Sequence, residues 1–182
     1  MIILDKSGKI VFGLMAALIH EVGHIFAMHL KNCFPKEIIA GLFDVNIKDL
    51  SVNQRTYKDD IMINLFGPIF NLVFCFVFYI IYFFTGNSNF FLASSENFAL
   101  FIFNILPIET LDGGQILFSI LAPIKGVKFS IHCVEIISFL ILFPIAVLGF
   151  YILITSRYNF SLLFFSCYLM VMLLIKKSKL LS

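Results

Sequence analysis

The 182-residue chain is 60% hydrophobic and 16% aromatic, and only 13% of its residues are charged. A soluble domain carries about 25% charged and 45–50% apolar residues, so this composition excludes a free-standing soluble enzyme. Thirteen Lys and Arg against eleven Asp and Glu give a formal net charge of +2, which excludes the strongly basic surface that nucleic acid requires. We therefore expect an integral membrane protein that lies in a lipid bilayer and binds no nucleic acid.

Apolar segments of about the length that a membrane-spanning helix needs recur along the chain. They cover residues 10–30, 61–85, 98–124 and 131–154, and a shorter one covers residues 160–175. The sequence thus predicts an all-α polytopic membrane protein with about five transmembrane segments. Short β-like runs around turn residues predict a short β-hairpin in the polar region 31–60.

The third segment contains residues that do not suit an unbroken helix in lipid. Pro107, Glu109, Asp112, Gly113 and Gly114 lie in its middle. Non-helical backbone at membrane depth persists only where protein or a watery cavity surrounds it. We expect this segment to be broken at the Pro/Asp-Gly motif, and the break to mark a functional site.

The loops indicate the orientation in the membrane. If the segments alternate, ten Lys and Arg residues fall on one side and three on the other. The positive-inside rule then places residues 31–60 and the C-terminus in the cytoplasm. Residues 86–97, which contain no Lys or Arg, are expected to form a loop on the outer side.

An HExxH motif, His20-Glu21-Val22-Gly23-His24, lies inside the first apolar segment. On a helix the two histidines lie one turn apart on one face, so both imidazoles can reach one Zn²⁺. Glu21 can then act as general base towards a metal-bound water. Ionisable groups are costly in lipid, which favours a functional role. The alternative is that these polar groups only hydrogen-bond to neighbouring helices.

A catalytic zinc site needs a third protein ligand and an open position for water. The four cysteines are scattered without a CxxC pair, and His29, His132 and Glu135 lie near segment ends. Asp112 lies in the middle of a segment, at the predicted break, and we predict it as the third ligand. A role as N-cap of the helix that follows is compatible with that assignment.

Three motifs together resemble the site-2 protease family of intramembrane zinc metalloproteases. The HExxH run is the first. The second is Gly67-Pro68-Ile69-Phe70-Asn71, similar to the family's Gly-Pro-x-x-Asn element, and the third runs from Asn104 through Pro107 to Asp112-Gly113-Gly114, similar to its Asn/Pro/Asp-Gly motif. The segments that carry the motifs, residues 10–124, make up about two thirds of the chain. It resembles in particular the small sporulation-type members, which process a membrane-tethered sigma-factor precursor.

The resemblance implies a zinc metalloendopeptidase with a defined set of site residues. Zn²⁺ would be bound by His20, His24 and Asp112, and Glu21 would activate water for attack on a peptide bond. Substrate would be bound by Asn71, Asn104 and Pro107. Asn71 can instead bond to the catalytic helix, and Asn104 and Pro107 can instead shape the helix break. Gly67 would allow close helix approach and Pro68 would free a carbonyl. The alternative is that Gly67, Pro68 and Asn71 form only a packing kink.

The resemblance also implies the surroundings of the enzyme. The substrate would be a membrane-embedded regulatory protein, such as a sigma-factor precursor or an anti-sigma factor, in a bacterial cytoplasmic membrane. Residues 1–182 would form one protease domain, with a catalytic core over about residues 10–124 and C-terminal membrane helices over about residues 131–176.

Some positions depart from the family pattern and leave substrate and regulation open. Glu109-Thr110 stand where relatives often have a further Pro, and Gln115 stands where a Lys or Arg often follows the glycines. A membrane segment that precedes HExxH in many relatives is expected to be missing or reduced. Two other functions compete with a protease: a membrane zinc or proton transporter, and a catalytically inactive membrane scaffold. The ionisable groups cluster in two segments rather than following a path through several, which favours the protease.

Overall fold

A computed structural model describes residues 9–33, 37–40, 45–48, 55–156 and 167–171. The chain is predominantly helical there and divides into two compact units, Met1–Ile105 and Leu106–Ser182. Three of the described helices are long and apolar enough to cross a membrane, over Ile10–Leu30, Tyr57–Thr85 and Val127–Ile152. These helices support the predicted integral membrane protein. The number of five segments stays a prediction, because most of residues 160–175 lie outside the described residues.

Three helices and a two-stranded sheet are described in the first unit. Helix α1 spans Lys9–Leu30, α2 spans Tyr57–Thr85 and α3 spans Ser88–Ile105, and the three pack against one another. Strands β1 (Glu37–Ala40) and β2 (Val45–Lys48) pair antiparallel, with Glu37 opposite Lys48. The pair lies in the region where the sequence predicts a hairpin.

Both ends of α2 follow from local sequence. At its start, the Thr56 hydroxyl accepts a hydrogen bond from the Asp59 backbone N–H, and the Asp59 carboxylate accepts one from the Thr56 N–H, which is a capping box. The same carboxylate lies 2.9 Å from Lys31 Nζ, just beyond α1. At its end, Gly86 adopts a left-handed conformation (φ 66°) that glycine reaches without penalty. Helices α2 and α3 therefore form a tight hairpin.

The predicted loop over residues 86–97 is wrong, because α3 begins at Ser88. Polar side chains in this stretch are bonded to helix carbonyls. Ser94 donates to the Cys75 carbonyl of α2 (2.9 Å), and the Asn97 amide donates to the Ala93 carbonyl one turn back (2.8 Å). Satisfied in this way, polar residues are compatible with a helix that packs inside the protein.

The distribution of side chains in the first unit is the reverse of that in a water-soluble protein. Ala16, Ala27 and Ala93 are completely buried, whereas Leu18 is 67% exposed and Phe84 is 80% exposed. In water such large apolar side chains are usually buried. In lipid they can face outward, and small residues let helix backbones approach closely. The three helices are therefore built to pack within a bilayer.

The second unit contains α4 (Asp112–Lys125), α5 (Val127–Ser156) and a helical stretch over residues 167–171. Its buried core includes Ile108, Leu142 and Leu169. Residues 106–111, between the end of α3 and the start of α4, are not helical. The predicted third segment, residues 98–124, is therefore not one continuous helix.

The non-helical residues 106–111 are held by hydrogen bonds to both neighbouring helices of their unit. The Glu109 backbone N–H donates to the Ser138 hydroxyl, and the Gln115 side chain donates to the Glu109 carbonyl, both at 2.8 Å. A Cβ on Gly114 would overlap the Ile108 carbonyl oxygen. Glycine at this position therefore lets the turn fold back closely onto the start of α4.

The N-cap of α4 is Leu111, and no side-chain hydrogen bond caps the helix. The predicted N-cap role of Asp112 is therefore wrong, because Asp112 is the first residue of the helix. A carboxylate in the first turn still interacts favourably with the helix dipole.

Candidate metal centre

His20 and His24 are two of the buried polar residues of the first unit. They lie one turn apart on α1 and are only 7% and 8% exposed. Their Nε2 atoms are 3.1 Å apart, and the rings meet edge to face. Two nitrogens that bind one tetrahedral zinc at about 2.0–2.1 Å are roughly 3.3–3.4 Å apart. The two imidazoles thus have nearly the spacing of ligands to a common ion.

Hydrogen bonds determine which nitrogen of His20 carries the hydrogen. Its Nδ1 lies 2.7 Å from Asn71 Oδ1 on α2. The Asn71 amide nitrogen donates to the Ala16 carbonyl (2.9 Å) and to Asn97 Oδ1 (3.0 Å). Because both those partners are acceptors, the nitrogen of the amide must face them and the oxygen must face His20. That oxygen can only accept, so His20 carries its hydrogen on Nδ1.

His24 is held in the same tautomer by a backbone carbonyl. Its Nδ1 lies 2.9 Å from the Ile63 carbonyl oxygen of α2, which can only accept. Pro68, which is buried in α2, has no N–H to give the carbonyl four residues earlier. That carbonyl belongs to Asn64, the residue that follows Ile63.

The two Nε2 atoms therefore present lone pairs to each other. While both rings are neutral, neither Nε2 has a hydrogen to donate across the 3.1 Å between them, and two acceptors this close repel. A cation shared by both nitrogens removes the repulsion. Hydrogen bonds from Nδ1 to a carbonyl or side-chain oxygen are also what orients metal-binding imidazoles in proteins. The donor set therefore fits a divalent metal ion such as Zn²⁺.

Two glycines bring α1 and α2 close enough for this arrangement. A Cβ on Gly67 would lie 2.6 Å from both Cε1 and Nε2 of His24 and 2.8 Å from Cε1 of His20. A Cβ on Gly23 would lie 2.5 Å from the Phe66 carbonyl oxygen. Small residues at such crossings let helices in lipid approach closely. The absence of a side chain at Gly67 also leaves the space that the two imidazoles occupy.

The remaining predicted site residues lie on several elements, and all of them are half-buried. Glu21 follows His20 on α1. Asn104 lies near the end of α3, where its side-chain nitrogen donates to the Leu100 carbonyl (3.1 Å). Pro107 belongs to the non-helical residues 106–111, and Asp112 begins α4 in the second unit.

The structure joins His20, His24 and Asn71 in one group. Asn71 is completely buried, and its amide is engaged with His20, Ala16 and Asn97. Of the two roles that the sequence left open for Asn71, the structure shows the bond to the helix that carries HExxH.

Three groups of the site are not among the residues predicted from the sequence: the side chain of Asn97 and the backbone carbonyls of Ala16 and Ile63. Asn97 is completely buried and lies in the region that was predicted to be a loop. The available signal was an amide side chain three residues after Ser94, which places both polar groups on one face of a helix. The carbonyls leave no signal in the sequence, because every residue has one.

Comparisons with known proteins address the family and the fold. A model of Peptidase family M50 matches residues 84–149, and no curated protein matches the chain. Among solved structures, the chain is similar to the Site-2 Protease from Methanocaldococcus jannaschii, with a TM-score of 0.65 and 21% sequence identity. The similarity covers 87% of this chain and 72% of that chain.

The family match and the HExxH motif involve different parts of the chain. Residues 84–149 contain the Asn/Pro/Asp-Gly motif, whereas HExxH at residues 20–24 lies outside them. The similarity in fold covers most of the chain. Together these findings confirm the resemblance of the chain to the site-2 protease family of intramembrane metalloproteases.

Proposed function

We propose that this chain is an intramembrane zinc metalloprotease that hydrolyses a peptide bond within or next to a transmembrane segment of a membrane-tethered regulatory protein. The proposal is carried by the lone pairs of His20 and His24 Nε2, which face each other at 3.1 Å in an apolar helix bundle. The family resemblance supplies the type of reaction, and the histidine geometry supplies a reason for a metal ion.

Zinc would be held by His20, His24 and Asp112. Two neutral imidazoles leave the double charge of the ion uncompensated, and a net charge is costly at membrane depth. The Asp112 carboxylate offsets part of that charge, and the ion in turn makes the carboxylate tolerable in lipid. Three protein ligands leave a fourth position open for water, as in other catalytic zinc sites.

Glu21 would act as general base and then as general acid. When bound, zinc lowers the pKa of a water molecule towards 7 and polarises a carbonyl. Glu21 follows His20 directly, about 100° further round α1, so it is next to the site without being a ligand. Its carboxylate would take a proton from the attacking water and return it to the leaving amine.

The substrate must be unwound where it is cut, because a carbonyl in a helix is already hydrogen-bonded and covered by neighbouring side chains. Asn104 and Pro107 would hold the extended substrate strand beside residues 106–111. The amide of Asn71 is engaged within the protein and would orient His20, while its role in substrate binding stays a prediction. The proposed substrates are sigma-factor precursors, which the sporulation-type members process, or anti-sigma factors. The proposed orientation has the C-terminus in the cytoplasm of a bacterium.

The replacement of Asp112 by Ala tests the third ligand. We expect zinc affinity to fall by at least the 10–100-fold that the loss of an outer partner of a ligand usually costs. Some binding remains, because two imidazoles still hold the ion. Metal content is measured after dialysis of the purified protein against buffered free zinc. The control is Glu135→Ala, which removes a carboxylate of α5 that lies 3.6 Å from His132 Nδ1 and should leave zinc binding unchanged. Undiminished zinc in the Asp112→Ala protein would remove Asp112 from the ligand set.

A further inference from the structure

Asn97 of α3 is a buried polar residue to which the proposed mechanism gives no task. It is completely buried, and both ends of its amide are engaged. Its nitrogen donates to the Ala93 carbonyl at 2.8 Å, and its oxygen accepts from the Asn71 amide nitrogen at 3.0 Å. A buried amide with partners at both ends has a fixed orientation.

The hydrogen bonds run in one direction from His20 to the backbone of α3. His20 Nδ1 donates to Asn71 Oδ1, Asn71 Nδ2 donates to Asn97 Oδ1, and Asn97 Nδ2 donates to the Ala93 carbonyl. We call this chain the asparagine relay. Reversing Asn97 would place its oxygen against the Ala93 carbonyl and its nitrogen against the Asn71 nitrogen. The Ala93 carbonyl therefore determines the orientation of Asn97. Asn97 and the Ala16 carbonyl, which accepts from the same Asn71 nitrogen at 2.9 Å, together determine the orientation of Asn71.

The orientation of Asn71 matters because it selects the tautomer of His20. With the Asn71 oxygen towards His20, the hydrogen is held on Nδ1 and the Nε2 lone pair faces His24. With the Asn71 nitrogen there instead, Nδ1 would have to accept, and the hydrogen would move to Nε2, the atom that a metal ion needs. The partner of one ring nitrogen decides the state of the other in this way.

We propose that Asn97 is a positioning residue that, through Asn71, keeps His20 in the tautomer that binds metal. The proposal rests on the proposed function only where it refers to zinc, because the tautomer exists in the metal-free protein as well. Helix α3 thereby contributes to the site, because Asn97 orients His20 of α1 through Asn71 of α2.

The test compares three variants with the wild type. Asn97→Leu keeps the approximate size of the side chain but removes the acceptor for Asn71. Asn97→Asp keeps an acceptor oxygen for Asn71, and its carboxyl, when protonated, donates to the Ala93 carbonyl in place of the Asn97 nitrogen. Ser94→Ala is the matched control, since it removes a part-buried hydrogen bond between α3 and α2 (Ser94 hydroxyl to Cys75 carbonyl, 2.9 Å) outside the relay. Thermal unfolding in detergent verifies that each variant is folded.

The first readout is the nitrogen-15 NMR spectrum of histidine-labelled, metal-free protein at a pH where the rings are neutral. A His20→Gln variant assigns the His20 signals among the four histidines of the chain. The relay predicts that His20 carries its hydrogen on Nδ1 in the wild type, in Asn97→Asp and in Ser94→Ala. In Asn97→Leu, where only the Ala16 carbonyl still accepts from the Asn71 nitrogen, we expect a small but measurable fraction with the hydrogen on Nε2. The second readout is zinc affinity by competition with a chelator, which should fall about 10-fold in Asn97→Leu and less than threefold in the other two.

Two results would overturn the proposal: a wild-type His20 with its hydrogen on Nε2, or an Asn97→Leu protein that matches Ser94→Ala in both tautomer and affinity. The two proposals fail separately. If the wild type shows the predicted tautomers and the Asn97→Leu shift but no variant binds zinc, the relay stands and the proposed zinc enzyme does not.

Discussion

The replacement of Glu21 by Gln is expected to abolish peptide-bond cleavage while zinc content and thermal stability stay at wild-type values. Gln has nearly the size of Glu, but its amide cannot take up a proton from water at neutral pH. Loss of a general base typically lowers the rate about 10²–10⁴-fold. The histidine pair, with its Nδ1 partners Asn71 Oδ1 and the Ile63 carbonyl, does not depend on Glu21.

Cleavage is measured by immunoblot after co-expression with a panel of single-span membrane proteins, each tagged at both ends. The matched control is Glu96→Gln, which neutralises another half-buried carboxylate of the first unit, on α3, and should leave cleavage unchanged. The experiment also separates the competing functions. A transporter or a scaffold would retain its activity in the Glu21→Gln protein, and unchanged cleavage by that protein would contradict the role of Glu21.

The replacement of Gly67 by Ala is expected to lower zinc affinity at least 10-fold and cleavage at least about 100-fold. The added Cβ would lie 2.6 Å from His24 Nε2 and 2.8 Å from His20 Cε1, so both imidazoles must move by several tenths of an ångström or more. A displacement of about 1 Å in a catalytic group is enough to cost about 10²-fold in rate. Zinc affinity by chelator competition and cleavage by immunoblot are measured on the same preparations.

The matched control is Gly13→Ala on α1. A Cβ there would meet only the Glu96 carboxylate, at 4.0 Å, which is an ordinary contact, and Ala is the better helix former by about 1 kcal/mol. We expect wild-type zinc affinity and equal or slightly higher thermal stability from this variant. If Gly67→Ala behaves like Gly13→Ala, the packing of the two histidines against α2 is not required for metal binding.

The sequence predicted the helices that carry the histidine pair and its partners because their signals are strong. A long apolar run at membrane-spanning length has few alternatives, and α1 and α2 end where the predicted segments end, at Leu30 and Thr85. The spacing of His20 and His24 likewise predicts a shared face of one helix, and their Nε2 atoms are 3.1 Å apart.

The prediction failed where polar residues lie inside a helix. Residues 86–97, which lie between two apolar segments, are predicted to form a loop, whereas Ser94 and Asn97 lie in α3 and bond to carbonyls of the first unit. Asn71 is likewise a polar residue inside a helix, and three partners within the protein engage its amide. Its role in substrate binding, which the resemblance implies, stays a prediction. Partners of this kind are contributed by elements far apart in the chain, so spacing along the sequence does not reveal them.

Zinc K-edge X-ray absorption on the purified, zinc-loaded protein shows whether two imidazoles and a carboxylate of this chain hold one zinc ion. We expect nitrogen and oxygen neighbours at about 2.0–2.1 Å and no sulfur. We also expect a multiple-scattering signature of two imidazoles, which disappears in a His20→Ala, His24→Ala double variant. A sulfur neighbour at about 2.3 Å would assign the metal to cysteine, and failure to load zinc at all would rule out the zinc site.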